Sequence, residues 1–322
     1  MSYLQWMKGL GLDITYKCTS SCLHCAVRAS PLREGVMRAE DAQVYINEVA
    51  HLQLEWLCIS GGEPFLYFDT LLEVVKLANR AGIPTVWVLT NGYWAADREV
   101  AAKKLSKLKD AGLTHICFSV DAFHQQFIDK SYVKIGIEVA EKLGFKVYTF
   151  SAFIHEDAAN PFNLKTKEIL KSLDIHRCKM YGESKLMWMG RSTDTIAEDV
   201  PVDTNVFDRQ CESIWVGGTF VEPESITIDP HGNVLLCPGL AIGNTKQTQL
   251  SKIIDKYNPF SHPIINRIIN SKGLEKLREV ATSKGWTPKP GYVDICHLCY
   301  DLRRLLHPYY PEWLTPKEAY SE

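Results

Sequence analysis

Three cysteines near the start of the chain are spaced so that their thiolates could bind one small inorganic centre. Cys18, Cys22 and Cys25 lie in a single short run, with three residues and then two residues between them. Iron–sulfur clusters are normally held by four cysteines, so three leave one iron open. An open metal position can bind a substrate or cofactor directly. The alternative is a zinc site with His24 as fourth ligand, for which that residue would have to fold back inside a very short loop.

Four more cysteines form a second group with the spacing C-x25-C-x58-C-x2-C. They are Cys211, Cys237, Cys296 and Cys299. Four thiols are enough to bind one cluster completely. A zinc ribbon is the alternative, because the C-x2-C pair alone would suit zinc. The remaining three cysteines lie in apolar runs, where a cysteine is commonly a small hydrophobic residue; they are Cys58, Cys117 and Cys178.

Elements that could position these groups alternate between strand and helix in the first part of the chain. Short apolar runs rich in β-branched or aromatic residues predict six strands: Gly9–Tyr16, Trp56–Ser60, Thr85–Thr90, His115–Asp121, Lys146–Phe153 and Ile175–Tyr181. Helical patterns lie between them, at Ala39–Leu54, Phe68–Ala81, Arg98–Ala111, Val133–Leu143 and Pro161–Leu173. The alternation predicts an α/β fold with a parallel sheet and right-handed crossovers.

Polar and glycine-rich runs stand at the ends of these predicted strands, where functional residues of a parallel sheet belong. The second strand ends in Ser60-Gly61-Gly62-Glu63-Pro64, the third in Thr90-Asn91-Gly92 and the fourth in Ser119-Val120-Asp121. Glycines allow a backbone to approach a ligand closely, and a carboxylate suits an ammonium group. The alternatives are a plain tight turn for the first run and helix caps for the other two.

The alternation stops near residue 200, where Pro201–Asn205 is rich in turn residues. A β-hairpin is predicted over 226–236, with Gly232 in its turn, and Cys237 ends its second strand. Helical stretches follow at Leu250–Lys256 and Pro263–Ser283. The sequence thus predicts two domains, residues 1–200 and residues 201–322.

These motifs resemble the radical S-adenosylmethionine (SAM) superfamily, whose signature is C-x3-C-x2-C with an aromatic residue or His before the last cysteine, followed by G-G-E-P, T-N-G and S-x-D runs. The resemblance implies a partial (β/α)6 barrel. It implies a [4Fe–4S] cluster on Cys18, Cys22 and Cys25 whose open iron binds SAM. A flavodoxin- or ferredoxin-type reductant would supply one electron, and SAM would then yield a 5′-deoxyadenosyl radical. That radical would abstract a hydrogen atom from a peptide or small-metabolite substrate.

The same resemblance implies the residues that contact SAM. Contacts to its amino group are assigned to Gly61, Gly62 and Glu63, and contacts to its carboxylate or ribose to Thr90, Ser119 and Asp121, with Ser151 as a further candidate. Arg191, in a G-R-S run after the sixth strand, could anchor an anionic group or could be a surface arginine beside a turn.

The second cysteine group resembles the auxiliary-cluster extension (SPASM or twitch type) of this superfamily, which implies a second [4Fe–4S] cluster on those four cysteines. The order of motifs along the chain is similar to that of radical SAM peptide epimerases. In those enzymes a second cysteine follows the hairpin cysteine and gives the last hydrogen atom, but Pro238 stands there in this chain. The substrate radical could instead be quenched by Cys178, oxidised through the second cluster, or trapped in a new carbon–sulfur or carbon–carbon bond.

Composition and charge limit the partners, the location and the class of protein that we expect. The net charge is −2, so nothing favours nucleic acid as a partner, and the basic pair Arg303–Arg304 is predicted to be a solvated helix face. No apolar run is long enough for a membrane span, and no signal peptide is visible, so a cytoplasmic location is expected. No peptide-recognition domain is expected before the first cysteine loop. A non-catalytic iron–sulfur or zinc protein is the competing class, but it leaves the strand-end motifs unexplained.

Overall fold

The computed structural model describes residues 2–154, 159–173, 179–211 and 214–321. The predicted hydrogen donor Cys178 lies outside the described residues. The chain forms two compact units. The first unit comprises Leu12–Cys22 and Ala29–Leu186, and the second comprises Met1–Gly11, Leu23–Arg28 and Met187–Glu322. The chain changes unit for the last time at residue 187, and the two domains 1–200 and 201–322 stay a prediction.

Strands and helices alternate through the first unit. The strands are β1 (Gly9–Thr15, which starts in the second unit), β2 (Trp56–Gly61), β3 (Thr85–Thr90), β4 (His115–Ser119), β5 (Lys146–Phe153) and β6 (Lys179–Lys185). They lie side by side in chain order, and the ladders from β2 to β6 are parallel. The helices between them are α1 (Ala39–Val49), α2 (Phe68–Arg80), α3 (Arg98–Ala111), α4 (Lys130–Lys142) and α5 (Pro161–Leu173). The predicted α/β fold with a parallel sheet is confirmed.

Local sequence explains where these helices begin and end. The Asp97 side chain accepts hydrogen bonds from the Glu99 and Val100 N–H groups at the start of α3, and Gly112 ends it in the left-handed region at φ 106°. After each strand a helix crosses back over the sheet. The next strand therefore runs parallel to the one before it and ends at the same side of the sheet. After β6 the next helix is the four-residue α6 (Ser192–Thr195).

The second unit contains an antiparallel ribbon and short helices. Its strands are β7 (Ser225–Ile228), β8 (Asn233–Cys237) and β9 (Leu240–Asn244), the last of which was not predicted. The helices are α7 (Leu250–Lys256), α8 (Ile265–Ile269), α9 (Glu275–Thr282) and α10 (Ile295–Leu306). The single helix predicted over 263–283 was wrong, because Gly273 and Leu274 both have positive φ and interrupt it. Among the described residues, no helix is both long and apolar enough to cross a membrane.

Candidate radical SAM site

The glycine run after β2 holds the start of the cysteine loop. The Gly62 N–H donates to the Thr15 carbonyl at 2.7 Å, and the Glu63 N–H donates to the Lys17 carbonyl at 2.9 Å. A Cβ added at Gly62 would lie 2.2 Å from the Lys17 carbonyl oxygen, and one at Gly61 would lie 2.2 Å from that of Thr15. These glycines therefore allow two strand ends to touch immediately before Cys18. Their predicted contact with SAM stays a prediction.

Glu63 joins the ends of β2 and β3. Its side chain is fully buried, and its carboxylate accepts hydrogen bonds from the Thr90 hydroxyl at 2.9 Å, the Asn91 N–H at 2.7 Å and the Phe65 N–H at 3.1 Å. Burial raises the pKa of Glu63 to about 7, although these three hydrogen bonds lower it. Both carboxylate oxygens thus accept hydrogen bonds from the protein, and the predicted contact of Glu63 with SAM stays a prediction.

Asn91 is a site residue that the sequence reasoning missed. Its side-chain amide donates to the Cys18 Sγ at 3.6 Å and to the Thr19 hydroxyl at 3.0 Å, and its Oδ1 accepts from the Tyr93 N–H at 3.0 Å. The T-N-G run was visible, but its partner lies 73 residues earlier in the chain. An amide N–H directed at a buried sulfur fits a thiolate that is bound to a cluster.

Asp121 and Ser151 also serve the protein backbone at the strand ends. The Asp121 carboxylate accepts from the N–H groups of Phe123, His124 and Ala152 at 2.9–3.1 Å and lies 2.9 Å from the His124 ring. The Ser151 hydroxyl donates to the Val120 carbonyl at 2.6 Å. Ser119 is half-buried at the last position of β4. The Asp121 carboxylate and the Ser151 hydroxyl thus form hydrogen bonds to backbone groups at the strand ends. Their predicted contacts with SAM stay predictions.

In the second unit, the G-R-S run holds the end of the cysteine loop. The Cys25 carbonyl accepts from the Arg191 N–H at 3.0 Å, and the Leu23 carbonyl accepts from the Thr195 hydroxyl at 2.8 Å. A Cβ on Gly190 would lie 2.4 Å from the Cys25 carbonyl oxygen. The Arg191 side chain is buried, so the surface interpretation of Arg191 was wrong. Its observed contact with the loop is made by the backbone.

The second unit also brings the other four cysteines together. Cys237 ends β8, whereas Cys296 and Cys299 lie in the first two turns of α10. The cap of this helix is the Asp294 carboxylate, which accepts from the His297 N–H at 2.8 Å. Burial raises the pKa of Cys296 well above its usual value, and Asp294 and the three other cysteines of the group raise it further. The three other cysteines therefore lie near Cys296, although the four residues span 89 positions of the chain (211 to 299).

Comparisons with known proteins match part of the chain to a family and most of it to solved structures. The radical SAM superfamily pattern matches residues 12–158. The putative peptide biosynthesis protein YydG of Bacillus subtilis (strain 168) is 22% identical over 139 residues, which cover 42% of each chain. The GTP 3′,8-cyclase of Aquifex aeolicus (strain VF5) is 30% identical over 162 residues, which cover 46% of this chain and 48% of that protein. The matched region thus spans less than half the length of these relatives.

Two solved structures share the fold over most of the chain. BtrN in complex with AdoMet and 2-DOIA superposes with a TM-score of 0.51 at 14% identity, covering 85% of this chain and 89% of BtrN. Native anSMEcpe with bound AdoMet and the Cp18Cys peptide gives a TM-score of 0.51 at 14% identity, covering 94% and 96%. Residues 12–158 therefore form a radical SAM domain, the class of enzyme domain that uses SAM and one [4Fe–4S] cluster.

Proposed function

We propose that this radical SAM enzyme abstracts a hydrogen atom from a peptide or from a small metabolite. The single observation that carries the proposal is the Asn91 amide directed at the Cys18 sulfur, within a loop whose start is held by the Gly61–Glu63 run. Bound at that loop, a cluster and SAM together would supply the hydrogen-abstracting chemistry. The chain's own residues would orient these groups and exclude water from them.

Cys18, Cys22 and Cys25 would be the ligands of this cluster. Cys18 and Cys22 are buried, and the Cys18 N–H donates to the Ser30 carbonyl at 3.0 Å, which orients the first ligand. Contacts to SAM are proposed for the residues at the strand ends, which are Gly61, Gly62, Glu63, Thr90, Ser119, Asp121, Ser151 and Arg191. Because the side chains of Glu63, Thr90, Asp121 and Ser151 already bond to the protein, we propose that they act mainly by fixing the backbone around the ligand.

A second [4Fe–4S] cluster is proposed on Cys211, Cys237, Cys296 and Cys299. The proximity of the three other cysteines to Cys296 supports one shared metal centre, and the resemblance of this cysteine group to auxiliary-cluster extensions favours a cluster over a zinc ion. Four cysteine ligands would leave no open iron, so this cluster would transfer electrons or stabilise the unit and would not bind substrate directly.

The relative YydG is described as a putative peptide biosynthesis protein, which favours a peptide as the substrate of this chain. The fate of the substrate radical distinguishes the remaining reactions. Pro238 stands where an epimerase would carry its donor cysteine, so Cys178 is the proposed donor for epimerisation. Oxidation through the second cluster and formation of a thioether or carbon–carbon bond are the alternatives.

The test is release of 5′-deoxyadenosine by the anaerobically reconstituted full chain with SAM and dithionite. We expect release by the wild type and by Cys58→Ala, which removes a cysteine of β2 outside both groups, and none above background from Cys22→Ala. A wild type that contains the first cluster but releases no 5′-deoxyadenosine would refute the proposal. With a substrate in hand, an unchanged product mass indicates epimerisation, whereas loss of two hydrogens indicates oxidation or crosslinking.

A further inference from the structure

Arg303 is buried, although its sequence context predicted a solvated helix face. Only 1% of its surface is exposed, and it is among the largest fully buried side chains of the described chain. Its neighbour Arg304 behaves differently, because its guanidinium pairs with Asp194 at 2.6 Å and with Asp301 at 3.2 Å. The prediction of a solvated pair was therefore wrong for Arg303.

The position of Arg303 on α10 directs it at the second cysteine group. It follows Cys299 by four residues, so the two side chains share one helix face. Its Nη1 donates to the Pro238 carbonyl at 2.9 Å, one residue after Cys237. The guanidinium carbon lies 5.9 Å from the ring centres of Tyr300 and Tyr320. The cation is thus enclosed between rings and the backbone beside two of the four thiols.

No carboxylate compensates this charge among the ion pairs of the described residues. The Arg303 Nε is buried and has no hydrogen-bond partner in the described part of the chain. A buried unpaired cation is strongly unfavourable. Burial raises the pKa of Cys299 and of Cys237, and the guanidinium lowers it in both, which agrees with a cation facing these sulfurs.

We propose that Arg303 is a positioning residue for the second cluster, whose four thiolate ligands supply the missing negative charge, and that it raises the reduction potential of that cluster. This inference rests on the second cluster in the proposed function. A fixed cation beside a cluster stabilises the reduced state, which carries one more negative charge. Arg303 would thereby make the second cluster an easier electron acceptor.

The test uses the Cys18→Ala/Cys22→Ala/Cys25→Ala full chain, reconstituted anaerobically so that only the second cluster is present. An EPR-monitored redox titration should show that Arg303→Gln lowers the reduction equilibrium constant at least about tenfold, or about 59 mV for a one-electron couple. Arg303→Lys, which keeps the charge, should shift the potential less. Arg304→Gln removes the same charge from a carboxylate-paired neighbour and should leave it nearly unchanged.

Two outcomes would overturn the inference, and they are distinguishable. A reconstituted triple variant without iron would refute the second cluster itself. Iron and an EPR signal with an unchanged potential in Arg303→Gln would refute only the role of Arg303. Should Arg303→Gln fail to hold a cluster, urea unfolding of Arg303→Met decides. The substitution should lower the unfolding midpoint of the loaded full chain but not that of the iron-depleted chain, and an equal drop in both would refute charge compensation.

Discussion

The two cysteine groups have different electrostatic surroundings. In the first unit, Cys18 receives a neutral amide N–H from Asn91, and a buried carboxylate, Glu63, lies behind the same strand ends. In the second unit, Cys237 and Cys299 lie beside the buried guanidinium of Arg303. A cluster on the first group would thus be harder to reduce than one on the second.

The largest expected effect is on SAM cleavage, which should depend on the first cysteine group and not on the second. Cys22→Ala should reduce 5′-deoxyadenosine release by more than about a hundredfold, because even residues behind a metal ligand can cost 10–100-fold when changed. Cys299→Ala should lose about half of the iron yet still cleave SAM. Iron analysis and chromatography of the nucleoside check both. Equal loss of SAM cleavage in the two variants would remove the distinction.

The next effect concerns how rigidly the first group is held. Gly62→Ala should lower the free energy of unfolding by about 3 kcal/mol and prevent cluster assembly, because the new Cβ would lie 2.2 Å from the Lys17 carbonyl oxygen. Gly82→Ala is the control for a Cβ added in open space: Gly82, unlike Gly62, has a positive φ of 75°, but nothing lies within 4 Å of an added Cβ. Its cost should be about 1 kcal/mol. Urea unfolding of both variants tests this, and similar costs would contradict the tight contact.

A third effect is the pH dependence conferred by Glu63. Burial raises its pKa from 4.5 to about 7, so between these values the folded chain holds a proton that the unfolded chain has released. Stability should therefore fall by about 3 kcal/mol as pH rises from 4.5 to 7 and stay level above that range.

Glu63→Gln should remove this dependence of stability on pH, while Glu73→Gln, at a half-buried side chain, should keep it. Urea unfolding of the iron-depleted chains from pH 4.5 to 8 measures both variants. An unchanged slope in Glu63→Gln would show that another group is responsible.

The smallest effect should come from Asn91→Ala. Loss of one N–H···S hydrogen bond to Cys18 should lower the reduction potential of the first cluster by less than about 59 mV. For a one-electron couple this corresponds to less than about a tenfold change in the equilibrium constant. The measurement is a redox titration of the Cys299→Ala chain with and without the substitution. A rise in potential would contradict the assignment of Asn91 as a donor.

Regular elements were predictable because their signals are local. The predicted strands β3 and β5 and helices α3, α5 and α7 have the predicted bounds, since apolar runs, caps and C-terminal glycines mark them within a few residues. The helix interruption at Gly273 and Leu274 was not predictable in this way, because one of the two left-handed residues is a leucine.

The electrostatic surroundings of the sites were not predictable because they depend on distant residues. Arg303 is separated from the Pro238 carbonyl by 65 positions and Asn91 from Cys18 by 73. Two adjacent arginines in an amphipathic helix predict a solvated helix face, and only the tertiary packing shows that one of them is buried. The cysteine spacings indicated which residues could be ligands, whereas the groups that tune those ligands had no local signal.

The contact between the glycine run and the strand before it has a genetic consequence. Any missense codon change at Gly61 or Gly62 introduces at least a Cβ, which would lie 2.2 Å from a carbonyl oxygen of the neighbouring strand end. At Gly82 and Gly285 the same change meets nothing within 4 Å. A library of random single substitutions selected for function should therefore return almost no replacements at the first pair and many at the second.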